Sequence, residues 1–301
     1  MCATLRTTIV GTPTSAASPV VFLHGWPDDS RVWRPLLPAF SDRRCVLLDL
    51  PRCDGEAWEG ANLGFDMLAC LAAAAIQKEQ RPVIVVAHDW GACVAGLLLS
   101  SRPELIERLV LLDVGKIPNF FNPRRPTLLL HGASIVGYQS VNALIYLLGL
   151  LSWLRPLADR LNALWVPRIC SLANSAEEDL LPLLTATLPA LLRPRRWQRE
   201  DYGRPISSQI NYFYFHAPRF VSSESFRKMK AALDTPSVPL LFLYGTGAFH
   251  DELWEAKLAS PEWDQCDAVR IERGHWFFVS PAGAKLTAST IQSWIGRTTK
   301  S

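Results

Sequence analysis

The chain is expected to fold as an α/β domain: a mostly parallel sheet with helices on both faces, carrying an inserted helical cap. Three observations predict this. Short apolar runs at 19–23, 44–50, 82–87, 109–113, 238–244 and 268–272 read as buried strands. Helical stretches at 30–40, 63–79, 91–101 and 281–296 alternate with them, the rhythm of parallel strands joined by crossover helices. Between Asp113 and Val238 that rhythm gives way to Leu-rich stretches broken by prolines.

Taken in order, residues 4–10 allow a short edge strand, and Pro19-Val-Val-Phe-Leu23 is a buried strand that stops at the turn His24-Gly-Trp-Pro-Asp-Asp29. Val83-Ile-Val-Val-Ala87 is a second such strand and runs through His88 into Asp89-Trp90-Gly91, where helical sequence begins at once. Leu109-Val-Leu-Leu112 ends at Asp113, and Val269-Arg-Ile271 leads into Gly274-His275-Trp276. These boundaries divide the chain into a core domain, 1–113 with 236–301, and a helical cap, 114–235. No internal repeat or low-complexity segment is present.

The 301 residues, 49% hydrophobic, suffice for one large domain with an insertion. A net charge of +3 is too mild to suggest a nucleic-acid partner, and the cluster Arg193, Arg195, Arg196 and Arg199 reads as a solvated loop. Seven scattered cysteines without a CxxC pair argue for free thiols in a reducing compartment and against a zinc site. The N-terminal residues lack the apolar core of a secretory signal, so a cytoplasmic location is expected.

The chemistry centres on Asp89. A sharp strand-to-helix turn tolerates only small residues two before and two after the exposed side chain, and Ala87 and Gly91 meet that demand. An Asp at an isolated strand-to-helix junction is ordinarily an N-cap. Here two further segments follow the pattern of a catalytic site. The His24-Gly-Trp-Pro turn can aim the Trp26 N–H at the elbow, where with the Trp90 N–H it would form an oxyanion hole. His275 stands just after a short strand, where a general base is expected.

His24-Gly-Trp-Pro, His88-Asp-Trp-Gly and Gly274-His-Trp together resemble the epoxide hydrolase and haloalkane dehalogenase branch of the α/β-hydrolase superfamily, over nearly the whole chain. The resemblance implies the α/β-hydrolase fold, an aspartate nucleophile and no metal or organic cofactor. It also asks for an acid that orients His275. Many relatives carry it as Gly-x-x-Asp after the strand that follows the cap, but this chain has Ala248 there. Asp113 matches the position used by fluoroacetate dehalogenases. Asp251 is the alternative.

Epoxide opening needs an acid for the leaving oxygen, a role that relatives give to cap tyrosines. Tyr138 and Tyr146 lie on the apolar segment of the cap, and Tyr212 and Tyr214 would share a side if Ile210–Phe215 were extended. Tyr146, Tyr212 and Tyr214 are the candidates for substrate contact, while plain aromatic packing explains any single one of them equally well. Trp90 also suits a halide. Trp26-Pro27 resembles the epoxide hydrolases more than the dehalogenases, and the absence of arginines just after Asp89 disfavours a small carboxylate substrate.

No acidic or basic residue occurs from Thr127 to Leu154, and Val141–Leu154 is apolar on every face. Such a helix is buried or meets lipid. A membrane span would separate the two halves of the site, so a buried cap helix over a lipophilic substrate is expected, with a membrane-surface contact as the alternative. Three functions stay open: epoxide hydrolysis to a diol, dehalogenation or ester hydrolysis on the same fold, and non-catalytic binding. The oligomeric state is not set by the sequence.

Overall fold

The computed structural model describes residues 4–11, 17–53, 58, 63–115, 127–173, 206–246, 266–271 and 274–297. Its centre is a seven-stranded sheet in the order β1-β3-β2-β4-β5-β6-β7. The strands are β1 (Arg6–Val10), β2 (Val20–Leu23), β3 (Cys45–Asp49), β4 (Val83–His88), β5 (Ile106–Leu112), β6 (Leu240–Gly245) and β7 (Asp267–Ile271). Only β1 is antiparallel to its neighbour; the other five pairings are parallel. Every residue of β2, β3, β4 and β6 is buried. Strands covered on both faces have no polar side to show, so their sequences are apolar without alternation.

Seven α-helices are described: α1 (Phe65–Ile76), α2 (Trp90–Ser101), α3 (Thr127–Leu150), α4 (Arg155–Ala173), α5 (Tyr212–Val221), α6 (Glu224–Asp234) and α7 (Pro281–Gly296). Residues 30–40, expected as one helix, form two separate 3-10 turns, Ser30–Trp33 and Leu37–Phe40. Pro35 and Pro38 explain the break, since neither can donate to a helical hydrogen bond and each ring crowds the preceding turn.

The inserted region supplies α3, α4, a 3-10 turn at Ser208–Asn211, α5 and α6. Residues 210–215 begin this second group of helices, so the extended form in which Tyr212 and Tyr214 would share a side is not adopted. α6 falls within 114–235 yet packs on α2 of the core: a Cβ on Gly96 would lie 2.8 Å from Met229 and 3.0 Å from Leu233. α3 buries Asn142, Ile145 and Tyr146 while Val136, Leu144 and Leu147 stay exposed, so this apolar helix is covered along one side only. Among the described residues no helix is long and apolar enough to cross a membrane.

Candidate active site

β4 delivers Asp89 into a turn with φ 51° and ψ −125°, a strained left-handed conformation for a residue with a side chain. The approach of chain around it leaves no room for neighbours. A Cβ on Gly91 would sit 2.4 Å from the Leu23 carbonyl oxygen, and one on Gly25 would sit 2.4 Å from Asp89 Oδ2. The spacing rule that pointed to Gly91 therefore has its physical cause in the end of β2. Gly25 serves the same purpose from the other side, and only the folded turn reveals it.

The Trp26 N–H donates to Asp89 Oδ2 at 2.7 Å, and the Trp90 N–H also hydrogen-bonds to this carboxylate. Two amides thus converge on the elbow, as the sequence predicts. Burial pushes the Asp89 pKa up to about 6, while the positive field of His275 and the two amides pull the other way. The side chain is an anion at neutral pH, poorly solvated and held in one orientation.

His275 follows β7 and is buried with its Nδ1 in a short contact to Asp113 Oδ2. Asp113 ends β5 with φ 60°, and its other oxygen accepts from the Gly245 N–H at 2.9 Å. Of the two acids weighed from the sequence, Asp113 is the one brought to His275, whereas Asp251 lies outside the described residues. Burial by itself lowers the His275 pKa, but the Asp113 carboxylate and its hydrogen bond, with Asp89 and Asp28 beyond, raise it on balance.

The other histidines near the elbow have structural partners. His24 accepts from the Leu50 N–H at 3.0 Å, and its Nδ1 donates to the Gly25 carbonyl at 2.9 Å. His88 Nε2 donates to the His275 carbonyl at 3.2 Å, and burial lowers the pKa of His88 to about 3, so it is neutral. Asp28, missed in the sequence, is fully buried and accepts from the Trp276 indole at 2.8 Å. This fixes the residue next to His275.

The cap tyrosines separate clearly. Tyr138 of α3 and Tyr214 of α5 meet edge to face, ring centroids 5.8 Å apart. Burial raises the pKa of each well above the ordinary phenol range, and the Asp89 charge raises both further. Tyr214 also receives a hydrogen bond from the Trp90 side chain and packs its ring 5.6 Å from that indole. Tyr212 and Tyr146, both expected at the site, lie elsewhere. The Tyr212 hydroxyl faces Cys53, Arg52 and Tyr146, and Arg52 donates to the Tyr146 hydroxyl at 3.3 Å. The physical reasons are helical. Residues two apart on a helix point to different sides, so α5 cannot present Tyr212 and Tyr214 together. Tyr138 and Tyr146 share a face of α3 but are separated by about 12 Å along its axis.

Sequence reasoning also missed a buried amide chain. The Trp26 indole donates to Asn211 Oδ1 at 2.7 Å, and Asn211 Nδ2 donates to Asn162 Oδ1 at 2.7 Å. Asn162 in turn donates to the Ile206 carbonyl at 2.9 Å. The turn that carries the first amide is thereby tied to α4 and to the 3-10 turn before α5. Arg52, in the turn after β3, adds a second tie by donating to Gln209 Oε1 at 2.9 Å.

The Alpha/beta hydrolase family model matches residues 20–284. The chain belongs to the α/β-hydrolase family. Its curated relatives include a soluble epoxide hydrolase of Corynebacterium sp. (strain C12), 33% identical over 99 residues that make up 32% of this chain and 34% of that protein. A haloalkane dehalogenase of Bradyrhizobium diazoefficiens is 33% identical over 99 residues, 31% of each chain. The chain thus aligns with only about a third of the length of these relatives. An epoxide hydrolase structure from Vigna radiata superposes with a TM-score of 0.64 at 21% identity, covering 97% of this chain and 93% of that one. Over about a third of its length this α/β-hydrolase is thus similar to both an epoxide hydrolase and a haloalkane dehalogenase.

Proposed function

We propose that the protein hydrolyses a lipophilic epoxide to a vicinal diol through an aspartyl ester. The observation that carries this reading is the pairing of Tyr138 and Tyr214, both under the field of Asp89. Two phenols kept protonated beside a carboxylate are suited to hold an epoxide oxygen while the carboxylate attacks the adjacent carbon. Tyr138 takes the acid role for which Tyr146 and Tyr212 had been candidates.

In the first step the free oxygen of Asp89 attacks one ring carbon and a C–O bond forms. The bond from that same carbon to the ring oxygen breaks, and the departing alkoxide takes its proton from one of the two tyrosines. Approach of the reacting atoms to about 3–3.5 Å is what the cap must enforce. Asp89 becomes a neutral ester, which removes one of the negative charges that raise the pKa of His275. The imidazole is then more readily available as a base.

In the second step His275 takes a proton from water and the hydroxide adds to the ester carbonyl. The Trp26 N–H already donates to Oδ2, the oxygen that then bears the negative charge. Amides in place before the charge develops need no reorganisation, and losing one such donor costs roughly 2.7–4 kcal/mol of barrier. Asp113 holds the His275 ring through Nδ1, which makes Nε2 the nitrogen that takes the water proton. Collapse breaks the ester C–O bond and the leaving alkoxide takes the proton held by His275, giving the diol; the proton of the newly formed Asp89 carboxyl returns to the tyrosine and restores the Asp89 carboxylate. A halide leaving group fits less well, because the Trp90 side chain that would hold it hydrogen-bonds to Tyr214.

The test uses His275→Gln, which leaves the ester nothing to remove it. Incubated with a lipophilic epoxide, the variant should gain the mass of one substrate on the peptide containing Asp89. Halide release from a bromoalkane without an epoxide adduct would instead mark a dehalogenase. Neither adduct nor halide, with the protein folded, would point to a binding protein.

A further inference from the structure

The cap hairpin presents two apolar stripes to solvent. On α3, Leu144, Leu147 and Leu151 just beyond it recur at helical spacing along one face and are 58%, 43% and 48% exposed. On α4, Leu157 and Leu161 do the same, and Trp153 in the turn between the helices is 75% exposed. The opposite side of α3 is buried through Asn142, Ile145 and Tyr146. Isolated exposed leucines are ordinary, but a continuous face of this kind marks a contact surface.

The charges on the hairpin identify the partner. No charged residue occurs in 127–154, and the next segment brings Arg155 and Arg160, both exposed. The only carboxylate of α4, Asp159, is turned inward, where it accepts from the Ser208 N–H at 2.7 Å. Among the described residues of the hairpin, the face is therefore apolar with a cationic border. A second copy of the same face would bring arginines against arginines across a twofold axis. An anionic lipid surface offers what the face lacks: a hydrocarbon layer for the leucines and negative headgroups for the guanidinium groups. Trp153 at the tip has the amphipathic ring that favours the headgroup level.

We infer that the α3–α4 hairpin docks the protein on an anionic membrane surface, with Leu147, Leu151, Trp153 and Leu157 inserted and Arg155 and Arg160 among the headgroups. It lies in the interface rather than spanning it, since no described helix is long and apolar enough to cross. The inference does not depend on whether Asp89 is a nucleophile.

The experiment is flotation of the full chain with vesicles of phosphatidylcholine alone and of phosphatidylcholine mixed with phosphatidylglycerol. Binding to the mixed vesicles should be at least about tenfold stronger and should weaken as salt is raised. The Trp153→Ala/Leu151→Asp variant should lose binding to both. Arg155→Gln/Arg160→Gln should lose only the preference for the anionic vesicles, and it decides the question should the first variant fold poorly. Absence of flotation with either vesicle overturns the inference, as does flotation unchanged in the arginine variant. Self-association in sedimentation that disappears in the Trp153→Ala/Leu151→Asp variant, without vesicle binding, would assign the face to a second copy instead.

Discussion

Val83–Ala87 and Leu144–Leu150 are both apolar runs, yet the strand is buried throughout while the helix leaves Leu144, Leu147 and Leu150 in solvent. β4 lies between β2 and β5, in a part of the sheet covered on both faces, so every side chain meets another layer. α3 is covered along one side, by α4, α5 and the 3-10 turn before α5. Hydrophobicity alone states that a segment avoids water. The number of layers around it decides which of its residues succeed. The floor of the site is in consequence intolerant of change, and the outer cap is free to serve another surface.

The largest test of this contrast concerns turnover of whichever substrate the adduct experiment identifies. Asp89→Asn should lower kcat by at least about a thousandfold, while Leu144→Ala, on the outer face of α3, should leave it within about twofold. Comparable losses at the two positions would break the distinction between floor and outer face.

Packing comes next. Gly25→Ala and Gly91→Ala each place a Cβ within 2.5 Å of fixed atoms, so each should lower unfolding stability by about 3 kcal/mol in urea titrations. A wild-type midpoint in either variant would mean that the elbow has slack that the structure does not contain. The amide chain between the halves ranks third. Asn211→Ala leaves the Trp26 indole and Asn162 without their partner and should cost about 1–3 kcal/mol. Its signature beyond stability is a fall in kcat that exceeds any change in KM, because the Trp26 amide is displaced from Asp89.

Stability against pH reads the floor in another way. The folded-state pKa of Asp89, about 6, lies above its unfolded value, so the folded chain binds the extra proton between pH 4 and 6. Stability from this group is full below the unfolded pKa and is lost as pH rises through about 6. Asp89→Asn should therefore raise stability at neutral pH by about 1–2 kcal/mol and flatten its dependence on pH over that window. A less stable variant would show that the fold depends on the charge. The smallest effect belongs to the cap. A Cβ on Gly137 meets nothing within 4 Å, so Gly137→Ala should stabilise α3 by about 0.5–1 kcal/mol, seen as a modest rise in Tm.

What was legible in the sequence follows how local its cause is. Small residues flanking Asp89, the turn at Trp26 and the loop at His275 are dictated by backbone geometry within a few residues. The motifs therefore pointed to the turn at Asp89, where the structure places the Trp26 and Trp90 amides on the carboxylate. Asp113 was legible only as one of two candidates, because the contact with His275 spans 162 positions. Tyr212 and Tyr214 are parted for a different reason. Ile210–Phe215 has the aromatic content of a strand, and its helical state, which turns Tyr212 away, comes from packing in the cap.

By itself the sequence determined the α/β fold and the alternation of strand and helix, and it marked the sharp turn at Asp89, since each follows from apolar periodicity or from a turn that few residues can make. The tertiary structure alone decided that Asp113 meets His275, that Tyr138 joins Tyr214, that asparagines tie Trp26 to the cap, and which side of α3 faces out. Those are contacts between segments far apart in the chain. A local pattern carries no record of them, because they depend on how the layers stack.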